Sequence, residues 1–186
     1  MFLLTASPIS MKQKTYKIAL MGLLAATAMV LSYLESMLPT AFLPPGAKPG
    51  FSNLANMFAA AVLGLPSALT IAVLKACFAG LMRGGTSFFM SLCGGVLSTV
   101  VMWLLLNKGK KLGSVGVGVL SAVCHNAGQL LVAAVLVGNA SVLGYAPILL
   151  LCALIAGTLT GLVFRAVLPA LQKATKSFIQ TPKGKE

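Results

Sequence analysis

Apolar runs alternate along the chain with short polar or glycine-rich breaks, and six such runs can be marked: Ile18–Leu38, Phe51–Leu63, Pro66–Met82, Ser87–Leu106, Val115–Val137 and Tyr145–Leu168. The breaks carry their own local chemistry. Gly64-Leu65-Pro66 predicts a tight turn with Pro66 at the first position of the next helix, where its missing N–H costs nothing. Arg83-Gly84-Gly85 ends the third run, Asn107–Ser114 is a short basic loop, and Gly138–Gly144 is an uncharged turn. A chain of this length has room for about six spans of roughly 20 residues each. The pattern therefore predicts an all-α integral membrane protein, a bundle of six transmembrane helices, with one domain over residues 18–168. Residues 1–17 form a cytoplasmic N-terminal segment and residues 169–186 a basic cytoplasmic tail. Met11, ahead of Lys12, Lys14 and Lys17, is a second candidate start, which would make residues 1–10 an artefact.

Composition agrees with this. Of the residues 58% are hydrophobic and only 9% charged, with a mean hydropathy of +0.97, too little polar surface for a soluble domain. The formal net charge of +12 does not read as nucleic-acid binding, because the basic residues sit beside apolar runs, where they set topology. With six spans and the N-terminus inside, Lys12, Lys14, Lys17, Lys108, Lys110, Lys111, Arg165, Lys173, Lys176, Lys183 and Lys185 are all cytoplasmic. Lys48 and Arg83 stay outside and Lys75 lies within the membrane. Cys77, Cys93, Cys124 and Cys152 each fall inside an apolar run and read as small buried hydrophobes.

The candidate chemistry is confined to a few polar positions. The stretch Pro44–Asn56, PPGAKPGFSNLAN, is the long Pro/Gly-rich polar interruption and carries Lys48. Glycines at 46 and 50 permit positive φ and close approach to a ligand. Asn53 and Asn56, three residues apart, share one face if a helix starts near Gly50. Two readings are open there: an anion- or headgroup-binding lip, or a loop with a helix cap. Lys75, about 13 Å from the inner end of its span, costs on the order of 3 kcal/mol in hydrocarbon and must face a cavity or a partner. His125 lies at a matching depth of roughly 15 Å, and Asn126 and Gln129 share its part of the helix surface. Either these three hold helices together or they line a polar ligand site. Glu35 is the only acid in the body of the chain. It lies about 26 Å along the first span, so it is expected at the interface, too far out to neutralise Lys75. An unpaired buried cation favours an anionic ligand, with Arg83 and Lys48 extending the positive path from the outer face. Arg83 alone reads as an interface anchor.

What is missing narrows the choice. A Walker A motif is absent, so ATP hydrolysis by this chain is not expected. There is no aspartate, so no carboxylate site for Mg²⁺-diphosphate chemistry is expected. A single histidine without acidic or thiol companions does not make a zinc site. The chain reads as a non-enzyme with no cofactor and no metal.

Three segments carry a family resemblance. PPGAKPGFSNLANMFAAAVLG resembles a "PGxKxGLAN" segment, and LSAVCHNAGQLLVA resembles a "GAxxHNxGQ" signature. Between them, VLKACFAGLMRGGTSFFMSLCGGVLSTVVM looks like the third and fourth spans of the same bacterial membrane family. Ser121, Lys75 and Phe51 stand where that pattern has glycine, arginine and leucine. The family is heptaprenyl diphosphate synthase component I, or Gx transporter, and it resembles the substrate-binding (S) components of energy-coupling-factor transporters. The resemblance implies a multi-pass protein of the bacterial plasma membrane that binds a small solute near its outer face. It also implies docking, through small residues of the first helix, on a transmembrane coupling protein driven by ATPase subunits. Gly22 and Ala26 are then the docking stripe, and Lys48, Asn53, Asn56, Lys75, His125, Asn126 and Gln129 the pocket. The rival readings are a non-catalytic accessory subunit of a polyprenyl diphosphate synthase, and a scaffold whose polar residues only pack helices.

Overall fold

The computed structural model describes residues 11–37, 50–108 and 112–179, apart from the side chains of Lys108 and residues 177–179. Six helices make up nearly all of it: α1 Met11–Ser36, α2 Asn53–Val62, α3 Leu65–Arg83, α4 Gly85–Lys108, α5 Ser114–Val137 and α6 Ala146–Ile179, with a 3-10 turn at Ala140–Tyr145 before α6. The all-helical reading is borne out. Five of the helices are long and apolar enough to cross a membrane; α2 is not. Its ten residues span about 15 Å, half the thickness of a hydrocarbon core. The predicted second span is thus a half-length helix.

Glycine sets where the short helix begins and ends. Gly50, at φ +99°, turns the chain into α2, and Gly64, at φ +85°, turns it out into α3, both conformations that a residue with a Cβ adopts at a cost. Pro66 sits in the first turn of α3, as its position after Gly64 predicts. Two helices run beyond their predicted limits. α1 starts at Met11 rather than Ile18, and α6 continues through Pro169 to Ile179 rather than stopping at Leu168. Tyr16 and Thr175 hydroxyls meet at 3.3 Å, so the start of α1 and the end of α6, with Lys12, Lys14, Lys17, Lys173 and Lys176, share one end of the bundle.

The packing follows chain order in a ring. α3 packs along α4, α4 along α5 and α5 along α6, while α1 lies against α3 and barely touches α6. Short α2 occupies the interior and meets α1, α3, α4 and α6. Its Ala55, Met57, Phe58, Ala59 and Ala60 are buried, packed on Leu20, Leu24 and Ala28 of α1, Ile71 of α3, Met102 of α4 and Phe164 of α6. The rings of Phe58 and Phe164 lie 5.1 Å apart. Large apolar side chains instead cover the outside, Leu81 at 86% and Val135 at 79% exposure among them. An apolar exterior around an interior rich in alanine, glycine and polar groups is the inversion expected in lipid, where small residues let helices approach.

The α5–α6 seam shows that approach directly. A Cβ on Gly157 would stand 2.5 Å from the Val119 Cα, and one on Gly161 would stand 2.5 Å from the Val115 Cα. Gly118 lies equally close against the Gly157 carbonyl. Between α4 and α5, Gly128 packs on the Gly94 backbone in the same way.

Candidate functional site

The N-terminal turn of α2 delivers the polar groups that the rest of the bundle surrounds. Lys75, 1% exposed, reaches from α3 and donates to Asn53 Oδ1 at 2.7 Å and to Ser52 Oγ at 3.3 Å. The Ser52 backbone N–H in turn donates to Glu35 Oε1 at 3.3 Å. Glu35 is 3% exposed and close enough to act electrostatically on both Lys75 and Arg83.

This corrects the expectation that Glu35 is too far away to serve Lys75 as a counter-charge. Depth counted along α1 alone ignores how far the neighbouring helices are offset. The chain Glu35–Ser52–Lys75 brings the carboxylate to the level of the ammonium, deep in the bundle. Two buried opposite charges joined through a serine cost far less than either alone. Arg83, read from sequence as an anchor, is half-buried, and its Nη2 has no partner among the described residues.

On α5, His125 and Gln129 are both buried, with Gln129 Nε2 2.7 Å from His125 Nε2. A bond donated by the amide makes that ring nitrogen the acceptor and puts the imidazole proton on Nδ1. Gly94 of α4 makes room for the pair, since a Cβ there would stand 2.6 Å from the His125 carbonyl and 3.1 Å from Gln129 Cγ. Gly50 lies between this pair and the lysine group. A Cβ on it would be 3.5 Å from His125 Cδ2 and 3.6 Å from Asn53 Nδ2. Both are ordinary van der Waals distances, so what calls for glycine at this junction of the α2 and α5 groups is its backbone, at φ +99°.

The other predicted residues have different settings. Asn56 donates to Thr99 Oγ1 on α4 at 3.0 Å and leaves Oδ1 without a partner among the described residues. Asn126 turns to α6 and donates to the Leu149 carbonyl at 2.8 Å, a helix-to-helix tie. Lys48 lies outside the described residues. Gly22 and Ala26 are on the exposed face of α1, and among the described residues nothing lies within 4 Å of a Cβ on Gly22. Ser52, Thr99 and the buried role of Glu35 are what sequence reading missed. Of these only Glu35 carried a signal, as the one acid within an apolar chain.

Among the described residues no group of three His, Cys, Asp or Glu side chains could hold a metal ion. What the cluster offers is an amide donor, Asn53 Nδ2, and a guanidinium donor, Arg83 Nη2, both buried without partners, beside two cations and one carboxylate. Spare donors and one net positive charge suit an acceptor-rich ligand.

Long apolar helices with an apolar exterior and a buried set of charged and amide side chains define a multi-pass membrane protein. Within that class the chain belongs to the heptaprenyl diphosphate synthase component I family, whose model matches residues 24–167. No curated protein and no solved structure matches it.

Proposed function

We propose that the chain is the membrane-embedded substrate-binding subunit of a transporter for a small anionic solute, powered by partner ATPases, in the bacterial plasma membrane. The observation that carries this reading is Lys75, fully buried and hydrogen-bonded among the described residues to a serine and an amide, beside Asn53 Nδ2 and Arg83 Nη2, which have no partner among those residues. An anion entering there would gain two donors and a net positive field in a medium that screens little. Lys48, Asn53, Asn56, Lys75, His125, Asn126 and Gln129 remain the proposed binding set, with Arg83 added. Gly22 and Ala26 face outward and are open to a coupling protein, in keeping with the resemblance to energy-coupling-factor S components. Both termini are proposed to be cytoplasmic, which puts the shared basic end of α1 and α6 inside.

The family description favours a second reading, a non-catalytic accessory subunit of a polyprenyl diphosphate synthase. Native mass spectrometry of the gently solubilised protein separates the two. A retained water-soluble anion, lost in Lys75→Ala, together with an ATPase-coupled membrane protein, supports transport. Copurification of a soluble prenyl-transferring subunit, whose activity rises with this chain present, supports the accessory role. Retention of neither, with Lys75→Ala changing only stability, leaves the polar residues as helix packing.

A further inference from the structure

Glu35 uses one carboxylate oxygen on Ser52, and the other, Oε2, is buried with no partner among the described residues. Glu35 also lines a cleft of about 310 Å³ formed by Leu31 and Leu34 of α1, Phe51 and Leu54 at the start of α2, and Leu159, Thr160 and Val163 of α6. The volume lies within the range of small-molecule sites, roughly 300–1,000 Å³. Leu34 and Leu159 are 52% and 50% exposed, so the mouth is on the outside of the bundle, where α1 and α6 scarcely touch. In a bilayer that mouth faces lipid. The hydroxyl of Thr160 is turned away, donating to the Ala156 carbonyl, and supplies nothing to Glu35.

An occupant would reach the cleft through hydrocarbon, fill an apolar space, and meet one carboxylate in its wall that has an oxygen to accept a hydrogen bond. The charge balance decides the nature of the donor. Glu35 against Lys75 and Arg83 already leaves one net positive charge. An ammonium would add an uncompensated cation in hydrocarbon, and a carboxylate would meet Glu35 at hydrogen-bond distance. A neutral hydroxyl does neither. We propose that the α1–α6 cleft binds a long-chain alcohol, entering sideways from the membrane and donating its hydroxyl to Glu35 Oε2. The site is separate from the proposed anion position and shares with it only the Glu35–Ser52–Lys75 link.

The molecule carries its own control. A larger groove of about 780 Å³ between α4 and α5 is lined by Phe89, Leu92, Val96, Leu131, Val135 and their apolar neighbours, with no charged side chain. The test is photolabelling of the full chain in lipid nanodiscs with a diazirine-bearing dodecanol, mapped by peptide mass spectrometry. Label is expected at Leu31, Leu34, Leu159 and Val163 in excess over the α4–α5 groove. 1-Dodecanol should compete about tenfold better than dodecylamine or dodecanoate, the scale of one hydrogen bond to a charged acceptor. Glu35→Leu should remove the cleft label and leave the α4–α5 label in place. Labelling that favours the larger groove, or an amine or carboxylate competing as well as the alcohol, overturns the proposal. So does cleft label that survives Glu35→Leu. If that variant does not fold, the competition series on the unaltered protein decides alone.

Discussion

Toward α5, helix α6 presents Gly157 and Gly161; toward α1 it presents Leu159, Thr160 and Val163 around a cleft. The first side brings backbone onto backbone, reinforced by the Asn126 tie to Leu149. The second meets its neighbour at the Tyr16–Thr175 contact and then parts. The difference shows that small residues matter by what faces them. Glycines opposite glycine close a seam, whereas Gly22 and Ala26 lie on the exposed face of α1, with no described residue within 4 Å of a Cβ on Gly22. The charged cluster lies beside the loose seam, and the tight seam is closed by backbone contacts and the Asn126 amide.

The largest expected effect comes from unbalancing the loose side. Lys75→Met strands Glu35 and should destabilise the protein by about 3–5 kcal/mol, read as loss of folded protein in denaturant titration. Adding Glu35→Gln should restore most of it. If the double variant is no better than the single one, the two charges are not coupled through Ser52. Gly118→Leu forces a side chain into the Gly157 backbone and should cost about 3 kcal/mol, with an early thermal transition in detergent. An unchanged transition would mean that the seam is not closed as described. Asn126→Leu removes one interhelical hydrogen bond at the same seam and should cost only about 0.6–2 kcal/mol. Thr175→Val, at the point where α1 touches α6, should cost about 0.5 kcal/mol. Gly22→Leu should leave stability unchanged while weakening capture of a coupling protein in pull-down. A fall in stability there would show that the face is covered within the chain.

Much of the helix pattern was legible because an apolar run bounded by glycine or a basic loop is a local signal. α3, α4 and α5 begin and end within a few residues of their runs. α6 was underestimated because its apolar run ends at Leu168, while the helix continues through Pro169 to Ile179. Lys75, Asn53 and His125 stood out as polar residues in apolar sequence, and the structure gathers them around Gly50. The link from Glu35 to Lys75 was missed because it depends on the offset between helices, which no single run encodes. Thr99 was invisible, since a hydroxyl in a membrane helix normally satisfies itself on its own backbone, and Ser52 because its partners Glu35 and Lys75 come from other helices. The α5–α6 seam was not legible either, because Gly157 and Gly161 close against Gly118 and its neighbours on another helix.

The shortness of α2 bears on how the chain enters the membrane at all. The insertion machinery recognises hydrophobic segments by length, and ten residues offer it about half a span. α2 must then be carried in with α3 as a hairpin closed at Gly64, after α1 is already anchored. A chain truncated after Val62 would leave α2 untranslocated, and the groups that Ser52, Asn53 and Asn56 supply would reach the interior only once α3 had been made.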